Sequence, residues 1–175
     1  MAIAAAAALT AGALFAAPAA TAAPKNCKET TASENLKSAR AWIKSINRKD
    51  WATFKKITAA EHNRYLTAGV VPETPGADDD VAAWQHMHRV FSGMTIFVDA
   101  IATSNNAQAK ATEHIPGSTK SVVAILGDIK GTLPNGTAAT VPYSAWLFFK
   151  CGQIHAEYGL TDSSPAVIEA FVSTP

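Results

Sequence analysis

The chain has 175 residues, 48% of them hydrophobic, and Lys+Arg 15 against Asp+Glu 14 leaves a net charge of +1. Charges this balanced make no basic field for phosphate backbones, and Lys55-Lys56 is too small a cluster to supply one, so nucleic acid is excluded as an expected partner. The length suits one domain with a single core and room for a ligand cavity, and hardly two.

The first 22 residues are almost wholly small and apolar, with no charged side chain before Lys25 and an A-x-A site at Ala20-Thr21-Ala22. They read as a cleaved secretory signal peptide, although no Lys or Arg marks its start. Residues 23–175 then form the single domain of a secreted, extracellular protein. No later stretch is long and apolar enough to span a bilayer, so no membrane partner is expected after cleavage. The two cysteines, Cys27 and Cys151, are expected to pair, because a secreted chain matures where disulfides persist. Two unrelated buried thiols are the alternative.

Thr31-Ala32-Ser33-Glu34 has the form of a capping box, and Leu36, Ala39, Ile43 and Ile46 follow at helical spacing. Asp50 can cap a short second helix with Trp51, Phe54 and Ile57 on one face. A short strand is expected near 63–66, followed by a loop at Pro72, Pro75 and Gly76. Asp78-Asp79-Asp80 opens a third helix, where the dipole favours negative charge. Its broad face carries Val81, Trp84, Met87, His88 and Phe91, and Gly93 ends it.

From residue 95 the pattern changes to strands: 95–103, 122–132, 138–150 and 153–161, the last two joined by a tight turn at Cys151-Gly152. Residues 104–120 are polar and turn-rich, and fit either a loop or an extra strand. Asn135-Gly136-Thr137 is both a glycosylation sequon and a favoured type I′ turn, and both readings put Asn135 at the surface. Helices first and a meander after predict an α+β fold: a cone-shaped, curved antiparallel sheet packed against three N-terminal helices, enclosing an apolar pocket.

The last strand and its flanks, Gly152-Gln153-Ile154-His155-Ala156-Glu157-Tyr158-Gly159-Leu160-Thr161-Asp162, resemble the G-K-I-x-E-x-W-x-x-x-D ending of the SnoaL-like branch of the nuclear-transport-factor-two-like superfamily. Gly152, Gln153 and Ile154 stand for G-K-I, Tyr158 for the aromatic and Asp162 for the closing Asp. Lys49-Asp50-Trp51 matches the K-D-W junction between the first two helices, and the likeness covers roughly residues 33–171. It departs at Ala156, where the pattern has Glu, and at Glu157, where His is frequent. Ile46-Asn47 stand where scytalone dehydratase has Tyr-Asp, which argues against the dehydratase reaction.

The resemblance implies a small hydrophobic ligand and, in an enzyme, cofactor-free cyclase or isomerase chemistry. A non-catalytic secreted binding or dimerisation module of the same fold is the alternative. A homodimer through the open sheet face, with apolar area from residues 146–149, is a further expectation.

Plain alternation puts Ile154, Ala156, Tyr158, Leu160 and Asp162 on the pocket face, and Gln153, His155, Glu157 and Thr161 outside in solvent. Asp162, in a poorly solvated place, is then the first acid/base candidate, by analogy with the Asp of SnoaL-like cyclases. A helix cap at 162–165 is the alternative reading for that side chain. His88, which interrupts an apolar helix face, is the second candidate. Tyr158 and Tyr65 are candidate hydrogen-bond donors to an enolate, as in ketosteroid isomerase. Tyr65, Trp84, Phe91 and Trp146 are the aromatic candidates for lining the pocket. No metal or cofactor is expected: His86 and His88 lie two apart on a helix and diverge, and no H-E-x-x-H or phosphate-binding motif is present.

Overall fold

The computed structural model describes residues 27–66, 74–104, 121–161 and 165–173. The elements follow the expected order. Helix α1 (Ala32–Arg48) starts on a full capping box, with the Thr31 backbone N–H donating to Glu34 and the Glu34 N–H to the Thr31 hydroxyl. It ends where Lys49 turns left-handed, at φ 57°. Helix α2 (Trp51–Ile57) is capped by Asp50, which accepts from the Thr53 N–H.

Strand β1 (Thr58–Leu66), the two-residue β2 (Thr74–Pro75), helix α3 (Ala77–Val90) and strands β3 (Ser92–Ser104), β4 (Ser121–Thr132), β5 (Ala138–Lys150) and β6 (Gln153–Thr161) follow. Helix α4 (Pro165–Ser173) begins on a proline, which suits a first helical position. The signal-peptide segment, residues 105–120 and Asp162 lie outside the described residues.

The six strands form one sheet in the order β2-β1-β6-β5-β4-β3. The meander from β3 to β6 is antiparallel as expected, but β1 joins β6 in parallel, so the sheet is mixed. The parallel pair arises because α3 and the whole meander intervene before the chain returns beside β1.

The helices cover one face of the sheet. Trp42 of α1, Phe54 of α2 and Trp84 of α3 are fully buried there, with Trp42 5.9 Å from the Phe54 ring and 5.8 Å from Trp84. Such edge and tilted contacts add to the area term of burial. The Asn47 side chain fastens α1 to β3 by donating to the Ile96 carbonyl (2.9 Å) and accepting from its N–H (2.7 Å).

Two turns sharpen the expectations. The type I′ geometry falls at Cys151-Gly152, where φ is +54° and +78°, and not at Asn135-Gly136. In the latter, Pro134 and Asn135 form the corner of a turn closed by the Gly136 N–H on the Leu133 carbonyl, and Gly136 alone is left-handed, at φ 84°. Asn135 is exposed, as expected.

Cys27 and Cys151 are joined, with Cα atoms 5.3 Å apart and a sequence separation of 124. Closing so long a loop contributes on the order of 4–5 kcal/mol in the chain-entropy model. At roughly 2–4 °C per kcal/mol for a chain of this size, reduction is expected to lower the melting midpoint by about 10 °C or more. Calorimetry with and without reductant measures this, and an unchanged midpoint would show that the bond does no thermodynamic work.

Candidate functional site

One register shift decides what faces the interior. Along β6, Phe149 pairs with Ile154 but Phe148 pairs with Ala156, so His155 is an extra residue in a β-bulge. A one-residue insertion inverts every side chain beyond it. Ile154 therefore faces the core as expected, but beyond the bulge the inward set is Glu157 and Gly159, opposite the buried Leu147 and Ala145. Glu157 is fully buried, not solvated. Ala156 and Tyr158 turn to the outer face, opposite Phe148 and the 36% exposed Trp146. The bulge thus sets Glu157 on the same face as Ile154.

Glu157 is one member of a buried ionic cluster. His62 and Arg64, two apart on β1, share its inner face, and Asp80 enters from the first turn of α3. Asp80 is fully buried, whereas Asp78 and Asp79 are exposed, because Asp80 stands one helical turn before Trp84 and thus on the covered face. The Arg64 guanidinium donates to Asp80 Oδ1 at 3.0 Å and approaches Glu157 Oε2 at 3.6 Å. Its central carbon lies 4.2 Å from the centre of the Trp84 ring. Tyr143 on β5 donates its phenol to Glu157 Oε1 at 2.8 Å. His62 sets Nδ1 3.3 Å from the Ile154 carbonyl and Nε2 3.3 Å from Asp80 Oδ2. None of these four ionisable residues, His62, Arg64, Asp80 and Glu157, is more than 3% exposed.

The electrostatics separate the two carboxylates. Burial alone would raise Asp80, but the Arg64 charge, with His62 beside it, overcomes that and holds its carboxyl below the usual range. Burial likewise raises Glu157; Arg64 offsets this only in part and the Asp80 charge adds to it, so Glu157 stays above the usual glutamate range. Burial and the Glu157 charge push Tyr143 well up, which keeps its phenol protonated as a donor. Both ring nitrogens of His62 lie near acceptor oxygens, Nδ1 by the Ile154 carbonyl and Nε2 by Asp80 Oδ2.

His62, Asp80 and Glu157 each offer a metal-ligand atom within 4.8 Å of the others. Arg64, against both carboxylates, already supplies the cation there, and an ion would have to displace it. We therefore read the group as an ionic cluster.

The other sequence-derived candidates fall elsewhere. His88 is half-buried, with Nε2 2.9 Å from the Ile46 carbonyl at the end of α1 and its ring 6.0 Å from Trp51. Burial lowers its pKa, and it does not reach the cluster. Trp84 is a wall of the site through Arg64 and through its edge contact with Tyr143 at 6.4 Å. Phe91 is buried in the core, and Trp146 is on the outer face. The Tyr65 backbone pairs with Tyr158, while its side chain and all of Asp162 lie outside the described residues. His155, the bulge residue, pairs with Glu61 at 3.4 Å, and burial lowers its pKa.

No protein-family model and no curated protein matches the sequence. Solved structures do match the three-dimensional arrangement of helices and sheet. A protein described as a SnoaL-like polyketide cyclase from Jannaschia sp. CCS1 superposes with a TM-score of 0.62 at 12% identity, covering 86% of this chain and 99% of that one. The fold is NTF2-like. Bal32a, from a soil-derived mobile gene cassette, gives 0.65 at 12% identity over 80% of this chain and 98% of its own. TerC, co-crystallised with polyporic acid, gives 0.60 at 14% identity over 80% and 99%. Within this NTF2-like frame the cluster occupies the helix-covered side of the sheet, where β1, β5, β6 and α3 meet.

Proposed function

We propose that the chain is a secreted, cofactor-independent acid/base enzyme of the cyclase or isomerase type, acting on a small hydrophobic molecule. The observation that carries this reading is the pair of carboxylates driven apart in one buried cluster. Asp80 is held below the usual aspartate range as the anchor of Arg64, while burial raises Glu157 above the usual glutamate range, toward a stronger base. Glu157 would remove a proton next to a carbonyl and return it to a neighbouring carbon. Arg64 would stabilise the enolate formed between the two transfers. Asp162 stands as a second carboxylate for the same reaction.

Such an enzyme exchanges carbon-bound hydrogen before its full substrate is known. In heavy water the wild-type protein is expected to catalyse deuterium incorporation α to the carbonyl of members of a small-ketone panel, read by mass spectrometry. Exchange with none of a broad panel, or undiminished exchange by Glu157→Gln, would overturn the reading. Parallel measurement of Asp162→Asn assigns the second carboxylate.

The homodimer belongs to the same proposal and rests on the outer sheet face, where Phe97 (48%), Leu126 (56%) and Trp146 (36%) are exposed. Sedimentation is expected to show a dimer that Trp146→Glu converts to monomer; a monomeric wild type would remove this part of the reading.

A further inference from the structure

A second site lies away from the cluster, in a groove of about 330 Å³ between α1 and the edge strand β3. Ile43, Val98 and Ile101 form its apolar floor, and Arg40, Lys44 and Arg48 stand along its rim at four-residue intervals, one helical turn apart on one stripe of α1. All three cations are exposed, and among the described residues none has an ion-pair partner. The lining contains no acid. Asn47, the remaining lining residue, is engaged on both sides by the Ile96 backbone and holds α1 at a fixed distance from β3. The geometry is thus preset, with apolar surface below and, above it, three positive charges that pair with no acid among the described residues.

From this we infer that the α1–β3 groove binds a small amphipathic organic anion, its alkyl or aryl body on Ile43, Val98 and Ile101 and its carboxylate or sulfate head among Arg40, Lys44 and Arg48. Charge complementarity selects this occupant. An uncharged lipid would leave three cations over a desolvated floor, and a bare inorganic anion would leave the floor in water. The chain's own 105–120 segment carries Lys110 and Lys120 against a single acid, Glu113, so its formal charge is positive. Arg also suits the role by geometry, because its planar fork takes a carboxylate through two parallel hydrogen bonds.

The test uses the full protein and three probes, decanoate, decanol and acetate, titrated calorimetrically at low salt. Decanoate is expected to bind at least about tenfold more tightly than either of the others. Arg40→Glu/Lys44→Glu and, separately, Val98→Ser/Ile101→Ser should each weaken it by about tenfold or more, and added salt should weaken it further. These surface variants are expected to keep the wild-type melting midpoint and the wild-type deuterium exchange. Glu157→Gln is expected to leave decanoate binding intact, which keeps this site separate from the acid/base reading. Equal binding of decanol, or unaltered decanoate affinity in the Arg40→Glu/Lys44→Glu protein, would overturn the inference. So would a short single-stranded DNA that displaces decanoate, since the stripe would then be a phosphate-backbone surface.

Discussion

Glu157→Gln is expected to lower the rate of deuterium exchange by about 10²–10⁴-fold, the range that a positioned acid/base contributes. The substitution is close to isosteric. The amide oxygen can still accept from Tyr143, whose phenol lies 2.8 Å from Oε1, so packing and that hydrogen bond survive. What disappears is the group that can hold the proton. Because burial and the Asp80 charge raise Glu157, the wild-type profile is expected to gain activity through an ionisation above the ordinary glutamate range as pH rises and the base form accumulates. That limb should vanish in the variant, which separates a catalytic loss from a folding loss. A structural glutamate would show lower expression or melting with an unchanged pH profile for whatever protein remained. Stability is expected to fall as well, because the amide NH2 takes the place of Oε2 beside the Arg64 guanidinium, so melting is measured alongside the rate.

The frame of the molecule was legible in the sequence because its signals are local. The Thr31–Glu34 box, the Asp50 cap and the two long strand runs ending at Lys150 and Thr161 each need only a few neighbouring residues, and each stands where the pattern put it. The Cys27–Cys151 pair was expected from two cysteines in a chain read as secreted, and the bond is present.

The site was less legible, for one identifiable reason. Alternation is a parity argument, and the extra residue at His155 changes parity in the middle of β6, placing Glu157 inside and Tyr158 outside. Nothing in His155 itself announces a bulge. Arg64 and His62 carried a usable signal, two polar residues at i and i+2 in a strand, but it gains meaning only when opposite charges face it from α3 and β6. Asp80 could have been found. It precedes Trp84 by four residues and Met87 by seven, which sets it on the apolar stripe and apart from the two aspartates before it. The parallel placement of β1 beside β6 was beyond reach, because it depends on how the whole meander folds back.

The last expectation concerns why the chain keeps four ionisable side chains together in its core. Asp80→Asn is expected to cost about 3–5 kcal/mol, because it leaves the Arg64 guanidinium buried with its closest partner neutralised. The simultaneous replacement His62→Leu, Arg64→Met, Asp80→Leu and Glu157→Met should be neutral or stabilising by about 1–4 kcal/mol, since desolvating buried ions commonly costs more than their attraction returns. That protein should also have no exchange activity.

The pH dependence supplies a check with a worked sign. Asp80 has a lowered folded pKa, so its contribution is present above the ordinary aspartate range and is lost as acid protonates it. Glu157 has a raised folded pKa, so the stability it contributes is present below the ordinary glutamate value and lost as pH rises through the folded one. The quadruple variant should flatten both limbs of the stability profile, measured by urea melts across pH. A quadruple variant that fails to fold would show that the charges specify the packing of β1, β6 and α3. One that folds tightly and is inert would show that they are retained for chemistry at a cost in stability.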